Sequence, residues 1–263
     1  MMNPAFDQVI GADAETRLGL FNTTAQRLGS TPSNIEKDFW VCWTLDALFN
    51  GLDAGAFAVD IDLDDQDGQS LLLRYPAVTA DDPYVHKLVK IESGAKSALD
   101  PHQPRTIRPY ADEDLPGADL AVAGVVTVDP ERTFWDKVVI LHGLRRAFDA
   151  KGVLRGEGQR VSRHYYDIHR LMESPAARGA LGAQALGADC VAHARLFFNR
   201  PDADLASAQP GSFALAPHDD MIVRLARDYA AMSGMIFGAV PDFEAVLSSV
   251  TRLEAMLNAP AAT

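Results

Sequence analysis

The sequence predicts an α+β protein in which a small, mostly antiparallel sheet is followed by a helical half. Two observations lead to this prediction. Residues 56–75 alternate apolar and polar side chains on both sides of a turn signal, as the strands of a β-hairpin do. From residue 130 onward, apolar side chains recur at helical spacing. We therefore expect two closely packed regions, 1–129 and 130–263.

The composition is that of a folded protein with a real core. Of 263 residues, 48% are apolar, which is enough for one large core or two modest ones. The N-terminus has neither the basic nor the apolar region of a signal peptide, and the strongest apolar run is short and charged. We expect a cytoplasmic protein with no membrane partner. Cys42 and Cys190 lie in apolar stretches and are expected to be buried free thiols, with a disulfide between them as the alternative.

Charge is distributed unevenly along the chain. The net charge is −12, yet residues 131–170 hold nine basic and five acidic side chains. The whole molecule should repel nucleic acid at long range, while the basic block could bind a phosphate locally. The alternative is that its arginines simply pair with acidic neighbours.

The first predicted helix lies within residues 30–51. Ser33 and Glu36 have the spacing of a capping box, and Gly51 is placed to end the helix. Its apolar side chains spread over a wide arc, which indicates a buried helix. They are Ile35, Phe39, Val41, Trp43, Leu45 and Leu48.

Strands follow this helix. Residues 56–75 form the predicted hairpin, and residues 85–97 supply a third strand with Leu88, Lys90 and Glu92 on one face. A short strand is expected at 106–108 and another at 122–128.

The second half is predicted to be helical. Asp129 is expected to cap a long helix, with Pro130 in its first turn and Gly152 at its end. Ser162 is expected to cap the next helix. Further helices are predicted within 188–200, 217–238 and 241–259.

Three carboxylates form a candidate metal site. Asp60 and Asp62 are one residue apart on a strand and point to one face, and Glu92 lies on a neighbouring strand. Carboxylate oxygens in such an arrangement suit Mg²⁺. The alternative is an ordinary strand that ends in an aspartate-rich turn.

Two helical segments carry further candidates. Lys137 lies beside apolar side chains and either extends to water or holds a triphosphate as a point charge. Asp167 lies four residues after Arg163 and three before Arg170, which is the spacing of ion pairs within one helix. The functional interpretation is that Asp167 and Arg163 face a cleft, where Arg163 helps to bind a nucleotide.

Five segments, found in order between about Asn34 and Met172, resemble the AbiEii/AbiGii nucleotidyltransferase toxin family of type IV toxin–antitoxin and abortive-infection systems. They read EKDFWVCWTLDALF, DGQSLLLRYP, VKIESGAKSALDP, PERTFWDKVVILHG and RVSRHYYDIHRL. The resemblance implies a polymerase-β-like fold that binds a nucleoside triphosphate with Mg²⁺ and transfers a nucleotide, with tRNA ends as the expected acceptor. It also implies a cognate antitoxin.

The resemblance also implies roles for single residues. Lys137 would hold nucleotide phosphates, Asp167 would organise the site or act on the nucleophile, and Glu92 would be a third carboxylate. We expect a magnesium-dependent pocket between the sheet of the first half and the helices that carry Lys137 and Asp167.

The chain departs from the family pattern after residue 50. Family members carry a Gly-Gly-Thr-Ser-Leu-Ser-Lys-like turn and helix there, whereas Gly55 is the only glycine near that place in this chain. Asp60 and Asp62 are then either a shortened relic of the family's metal-binding strand or, as we favour, the strand leading into residues 67–74. Backbone amides of such a turn bind triphosphate.

Three hypotheses follow from this departure. The chain is a nucleotidyltransferase toxin, or a catalytically inactive relative that binds nucleotide or a partner protein without turnover. The third hypothesis is that the gene encodes a segment that this sequence omits, which intact mass would reveal.

Overall fold

A computed structural model describes residues 3–51, 58–65, 69–82, 85–94 and 98–260. Gly55 and the last three residues of the turn predicted at 64–68 lie outside these ranges. The chain divides into two compact units, which are described separately below. The first comprises Met1–Ser97, Gln103–Thr127 and Gly234–Ala239, and the second comprises Ala98–His102, Val128–Ser233 and Val240–Thr263.

The first unit begins with three helices, α1 (Ala5–Ile10), α2 (Ala14–Leu28) and α3 (Pro32–Asn50). Sequence analysis assigned only the third. Helix α3 starts after Thr31, whose side chain accepts a hydrogen bond from the Asn34 amide, so the predicted cap at Ser33 is wrong by two residues. Gly51 ends the helix with φ of 114°, as its sequence position indicated.

The core of the first unit is built around Phe39 of α3. Its ring lies 5.4 Å from that of Phe6, 5.8 Å from that of Phe21 and 5.2 Å from that of Trp40. This aromatic packing confirms a largely buried α3. Leu48 and Phe49, at the end of the helix, are exposed.

A three-stranded antiparallel sheet follows α3. Strand β1 (Ala58–Ile61) pairs with β2 (Ser70–Arg74), and β2 pairs with β3 (Leu88–Glu92). The predicted hairpin and third strand are confirmed. Strands β4 (His102–Ile107) and β5 (Val122–Val128) form a separate two-stranded sheet, and β4 is longer than the strand predicted at 106–108.

Glu36 connects α3 to the segment that follows β2. Its carboxylate accepts hydrogen bonds from the amides of Val78 at 2.7 Å and Thr79 at 3.2 Å, and from the Thr79 hydroxyl. The side chain is only 1% exposed. The predicted capping box with Ser33 is therefore wrong, since Glu36 satisfies distant backbone groups instead of its own helix end.

The described part of the second unit contains six α-helices. They are α4 (Pro130–Lys151), α5 (Arg163–Glu173), α6 (Pro175–Gly182), α7 (Gln184–Phe197), α8 (Asp219–Met232) and α9 (Phe243–Asn258). Helix α4 packs against α5, α6 and α7, and α5 packs against α9. The predicted start of α4 at Pro130 and its end at Gly152 are confirmed.

Helix α7 approaches α4 closely at Gly187. A Cβ atom at this position would lie 2.8 Å from the indole ring of Trp135, so only glycine fits. The Trp135 Nε1 donates a hydrogen bond to the Ala180 carbonyl at 3.0 Å. The close approach at Gly187 positions α7 on α4, and the hydrogen bond to Ala180 positions α6 on the same helix.

Cys42 and Cys190 are buried and free, as the sequence predicted. Burial raises the pKa of both thiols to about 12. Within the described ranges, no helix is long and apolar enough to cross a membrane.

Removal of the Glu36 carboxylate should destabilise the first unit. We expect Glu36→Ala to lower the free energy of unfolding by about 2–4 kcal/mol, because the buried amides of Val78 and Thr79 lose their acceptor. Glu15→Ala, at an exposed position in α2, should change it by less than about 0.5 kcal/mol. Urea unfolding measures both, and equal effects would refute this role for Glu36.

Candidate functional site

Lys137 and Asp167 form an ion pair between α4 and α5. The Lys137 Nζ lies 2.7 Å from Asp167 Oδ2 and 3.0 Å from His164 Nδ1. The lysine side chain is 19% exposed, so its ammonium is largely removed from water and depends on these two partners. The structure thus brings together two of the residues that the sequence singled out.

His164 contributes to the pair as a neutral ring. Burial, together with the nearby cations of Lys137 and Arg163, lowers the pKa of His164 to about 3. Because an ammonium only donates hydrogen bonds, Nδ1 must accept and the ring proton must lie on Nε2. Two of the three ammonium donors are thereby used, and one remains for a ligand.

The first turn of α5 is held in place by Asp228 of α8. The Asp228 carboxylate accepts hydrogen bonds from the Ser162 amide at 2.8 Å, the Ser162 hydroxyl at 2.7 Å and the Arg160 amide at 3.1 Å. The predicted capping role of the Ser162 side chain is therefore wrong, because its hydroxyl donates to Asp228. Asp228 fixes the part of the chain that carries Arg163 and His164.

The arginines of α5 do not pair with Asp167. Arg170 bonds Glu173 at 3.0 Å, and Asp167 bonds Lys137, so the ion pairs proposed within the helix are not formed. Arg163 is exposed, and its guanidinium makes no hydrogen bond or ion pair with any residue in the described ranges. That Arg163 helps to bind a nucleotide stays a prediction.

The three carboxylates of the first unit are bound to cations of their own sheet. Asp60 Oδ2 lies 2.9 Å from Arg74 Nε. Asp62 Oδ2 and Glu92 Oε1 each lie 3.0 Å from Lys90 Nζ. The hydrogen bonds from Lys90 to Asp62 and to Glu92 raise the pKa of that lysine.

This arrangement fits Mg²⁺ in part. Asp62 and Glu92 converge on one cationic position, and one or two carboxylates plus substrate phosphates are a common way to hold Mg²⁺. Asp60 points to a different cation. Among the residues that the structure describes, no three His, Cys, Asp or Glu side chains are grouped to hold a metal ion.

Asp60, Asp62 and Glu92 belong to the first unit, whereas Lys137, Arg163 and Asp167 belong to the second. That all six serve one site stays a prediction. Sequence analysis made no prediction for His164 or for Asp228. The predicted shared face of Lys90 and Glu92 was a usable signal for their pairing.

His164 should make stability depend on pH. Its folded pKa of about 3 lies below its ordinary value of 6.5, so the unfolded chain binds more protons in this interval. Stability is then fully present above the upper value and declines as the pH falls, by about 1–2 kcal/mol near pH 5.

His164→Asn should remove this loss, because an amide accepts from Lys137 without titrating. Urea unfolding at about pH 7.5 and pH 5 measures the difference. His86→Asn, which replaces an exposed imidazole, is the matched control. A pH dependence in His164→Asn equal to that of the unmodified protein would contradict the interpretation.

Comparison with known proteins places the chain in a family. Searches among curated proteins and among solved structures found no match. Residues 44–249 match the family described as nucleotidyl transferase AbiEii toxin, type IV TA system, and this range includes the whole of α4, α5 and the three-stranded sheet. The chain therefore belongs to the AbiEii nucleotidyltransferase-like toxin family, which implies an antitoxin partner.

Proposed function

We propose that this protein transfers a nucleotide from a nucleoside triphosphate to the end of an RNA, with tRNA as the expected acceptor and Mg²⁺ as the expected metal. One observation carries the proposal. In a chain of this family, the Lys137 ammonium is oriented by Asp167 at 2.7 Å and by neutral His164 at 3.0 Å. The proposal places the protein in the cytoplasm, where nucleoside triphosphates and RNA occur together.

Lys137 is suited to hold phosphate. A lysine ammonium acts on phosphate as a compact point charge, and Asp167 and His164 leave it one free donor. Arg163, exposed at the start of α5, adds a second cation that a polyphosphate could contact in the bidentate manner of a guanidinium. Asp167 acts through Lys137 in this account and is a positioning residue.

The proposed reaction is an in-line displacement. An acceptor hydroxyl attacks the α-phosphorus and loses its proton to solvent, a new ester bond forms, and the bond between that phosphorus and the bridging oxygen breaks to release pyrophosphate. Negative charge grows on the departing pyrophosphate, and a preorganised lysine stabilises it more in the transition state than in the ground state. The proposal also includes a Mg²⁺ ion, which Asp62 and Glu92 would hold and which would supply Lewis-acid stabilisation of phosphate.

A second candidate is a relative that binds nucleotide without turnover. A specific observation favours it, because Asp60, Asp62 and Glu92 are all ion-paired to Arg74 or Lys90. A metal would have to displace Lys90 from two carboxylates. The family's glycine-rich turn is also missing from the sequence, so Lys137 would have to bind phosphate without that amide cradle.

Labelled nucleoside triphosphates, Mg²⁺ and tRNA test the proposal directly. We expect transfer of label by the unmodified protein and at least a roughly tenfold loss in Lys137→Gln, because that variant loses a charge that acts on the leaving group. Arg178→Gln removes an exposed charge from α6 and should leave the rate unchanged. Asp62→Asn should also reduce transfer.

Calorimetry with the same nucleotides separates the two candidates. Nucleotide binding that Lys137→Gln abolishes, without any transfer, would establish the second candidate in place of the first. Neither binding nor transfer by a protein with an unchanged thermal unfolding transition would overturn both.

A further inference from the structure

The second unit contains a cavity that lies apart from the Lys137 cluster. Its volume is about 470 Å³, and it lies at the end of α4 beside the short turn that follows α7. Five residues line it, and they are Lys151, Arg155, Arg200, Pro201 and Asp202. Three of the five are cations, so the cavity carries a net positive charge within an acidic protein.

Asp202 holds the three cations around one point. Its Oδ2 lies 2.7 Å from Lys151 Nζ and 3.7 Å from Arg155 Nη1, and its Oδ1 lies 3.3 Å from Arg200 Nε. The carboxylate side chain is only 10% exposed, whereas that of Arg155 is 52% exposed. The hydrogen bond from Lys151, with further help from Arg200, lowers the pKa of Asp202 to about 2.

One carboxylate cannot satisfy three cations. Two guanidinium groups and an ammonium offer many more donors than the two oxygens of Asp202 can accept. Within the described part of the chain, Arg155 has no other ion pair. The cavity is therefore organised by the largely covered carboxylate of Asp202 and has donors left for a second anion from solvent.

Two exposed aromatic residues lie close in the sequence to Arg200, which lines the cavity. Phe197 and Phe198 end α7 and precede Arg200 by three and two residues, and 54% of the surface of Phe198 is exposed. The His193 ring lies 4.8 Å from the Phe197 ring and 6.0 Å from the Phe198 ring. The contact of Gly187 with Trp135 fixes the helix that carries these rings.

We propose that this cavity binds a phosphate of single-stranded RNA and that Phe197 and Phe198 stack on the adjoining bases. Cations that track the phosphates, next to aromatic faces that stack bases, are how proteins bind single strands without reading their sequence. An acidic peptide would use the cations but would gain little from aromatic faces. As a contact for the acceptor strand, the surface rests on the proposed function.

The test is fluorescence anisotropy with a labelled, unstructured oligoribonucleotide, in the absence of nucleoside triphosphate and Mg²⁺. We expect Phe198→Ala to weaken binding roughly tenfold, since one stacked base is lost. Arg155→Gln should weaken binding several-fold and reduce the salt dependence by about one phosphate contact. Neither change should lower the thermal unfolding temperature, since both side chains are half exposed.

Matched controls exist for both variants. Leu196→Ala removes an exposed aliphatic side chain from the same helix, and Arg252→Gln removes an exposed cation of α9 that does not line the cavity. Both should bind RNA as the unmodified protein does.

Several results would overturn the inference. They are an absence of RNA binding, equal effects of test and control variants, and binding that Leu196→Ala weakens as much as Phe198→Ala without salt dependence. RNA binding with the expected variant effects but no nucleotide transfer would refute the proposed function alone, and transfer with unaffected RNA binding in both variants would refute this inference alone.

Discussion

The ion pair between Lys137 and Asp167 determines the geometry of the candidate phosphate site. It joins α4 to α5 at 2.7 Å and holds a largely buried ammonium in one orientation. A buried charge without a partner would cost several kcal/mol, so the pair must form if these helices are to pack as they do. His164, neutral at ordinary pH, and Asp228, which fixes the first turn of α5, support the same geometry.

The charged side chains of both candidate groups, the Lys137 cluster and the sheet carboxylates, form ion pairs within this chain. Lys137 is bound to Asp167, and the sheet carboxylates are bound to Arg74 and Lys90. A nucleotide would add to the first arrangement, because the lysine retains a free donor. A metal would have to replace a cation in the second. This difference is why phosphate binding at Lys137 is the better supported part of the proposed function.

Local patterns predicted local structure well. The hairpin followed from alternation in β1 and β2, and α4 followed from Asp129, Pro130 and Gly152. Contacts between distant segments could not be predicted in this way. Glu36 has the spacing of a capping box, yet its carboxylate is used by backbone amides more than 40 residues away.

The candidate site likewise depends on contacts between distant segments, which local sequence patterns do not predict. Lys137 and Asp167 were singled out separately, but their pairing depends on how α5 packs against α4. The spacing of Asp167 relative to Arg163 and Arg170 favoured pairs within one helix, and the tertiary contact prevailed. Helices α1, α2 and α6 were not predicted from the sequence, although the Asp13 side chain caps α2 by accepting a hydrogen bond from the Thr16 amide.

An acyl-phosphate derivative of a nucleoside triphosphate would test the central claim most directly, because such a reagent acylates a lysine that lies beside the bound phosphates. The account predicts modification of Lys137, mapped by mass spectrometry and suppressed by excess unmodified nucleotide. Reaction confined to the other five lysines, or modification of Lys137 that excess nucleotide does not suppress, would contradict it.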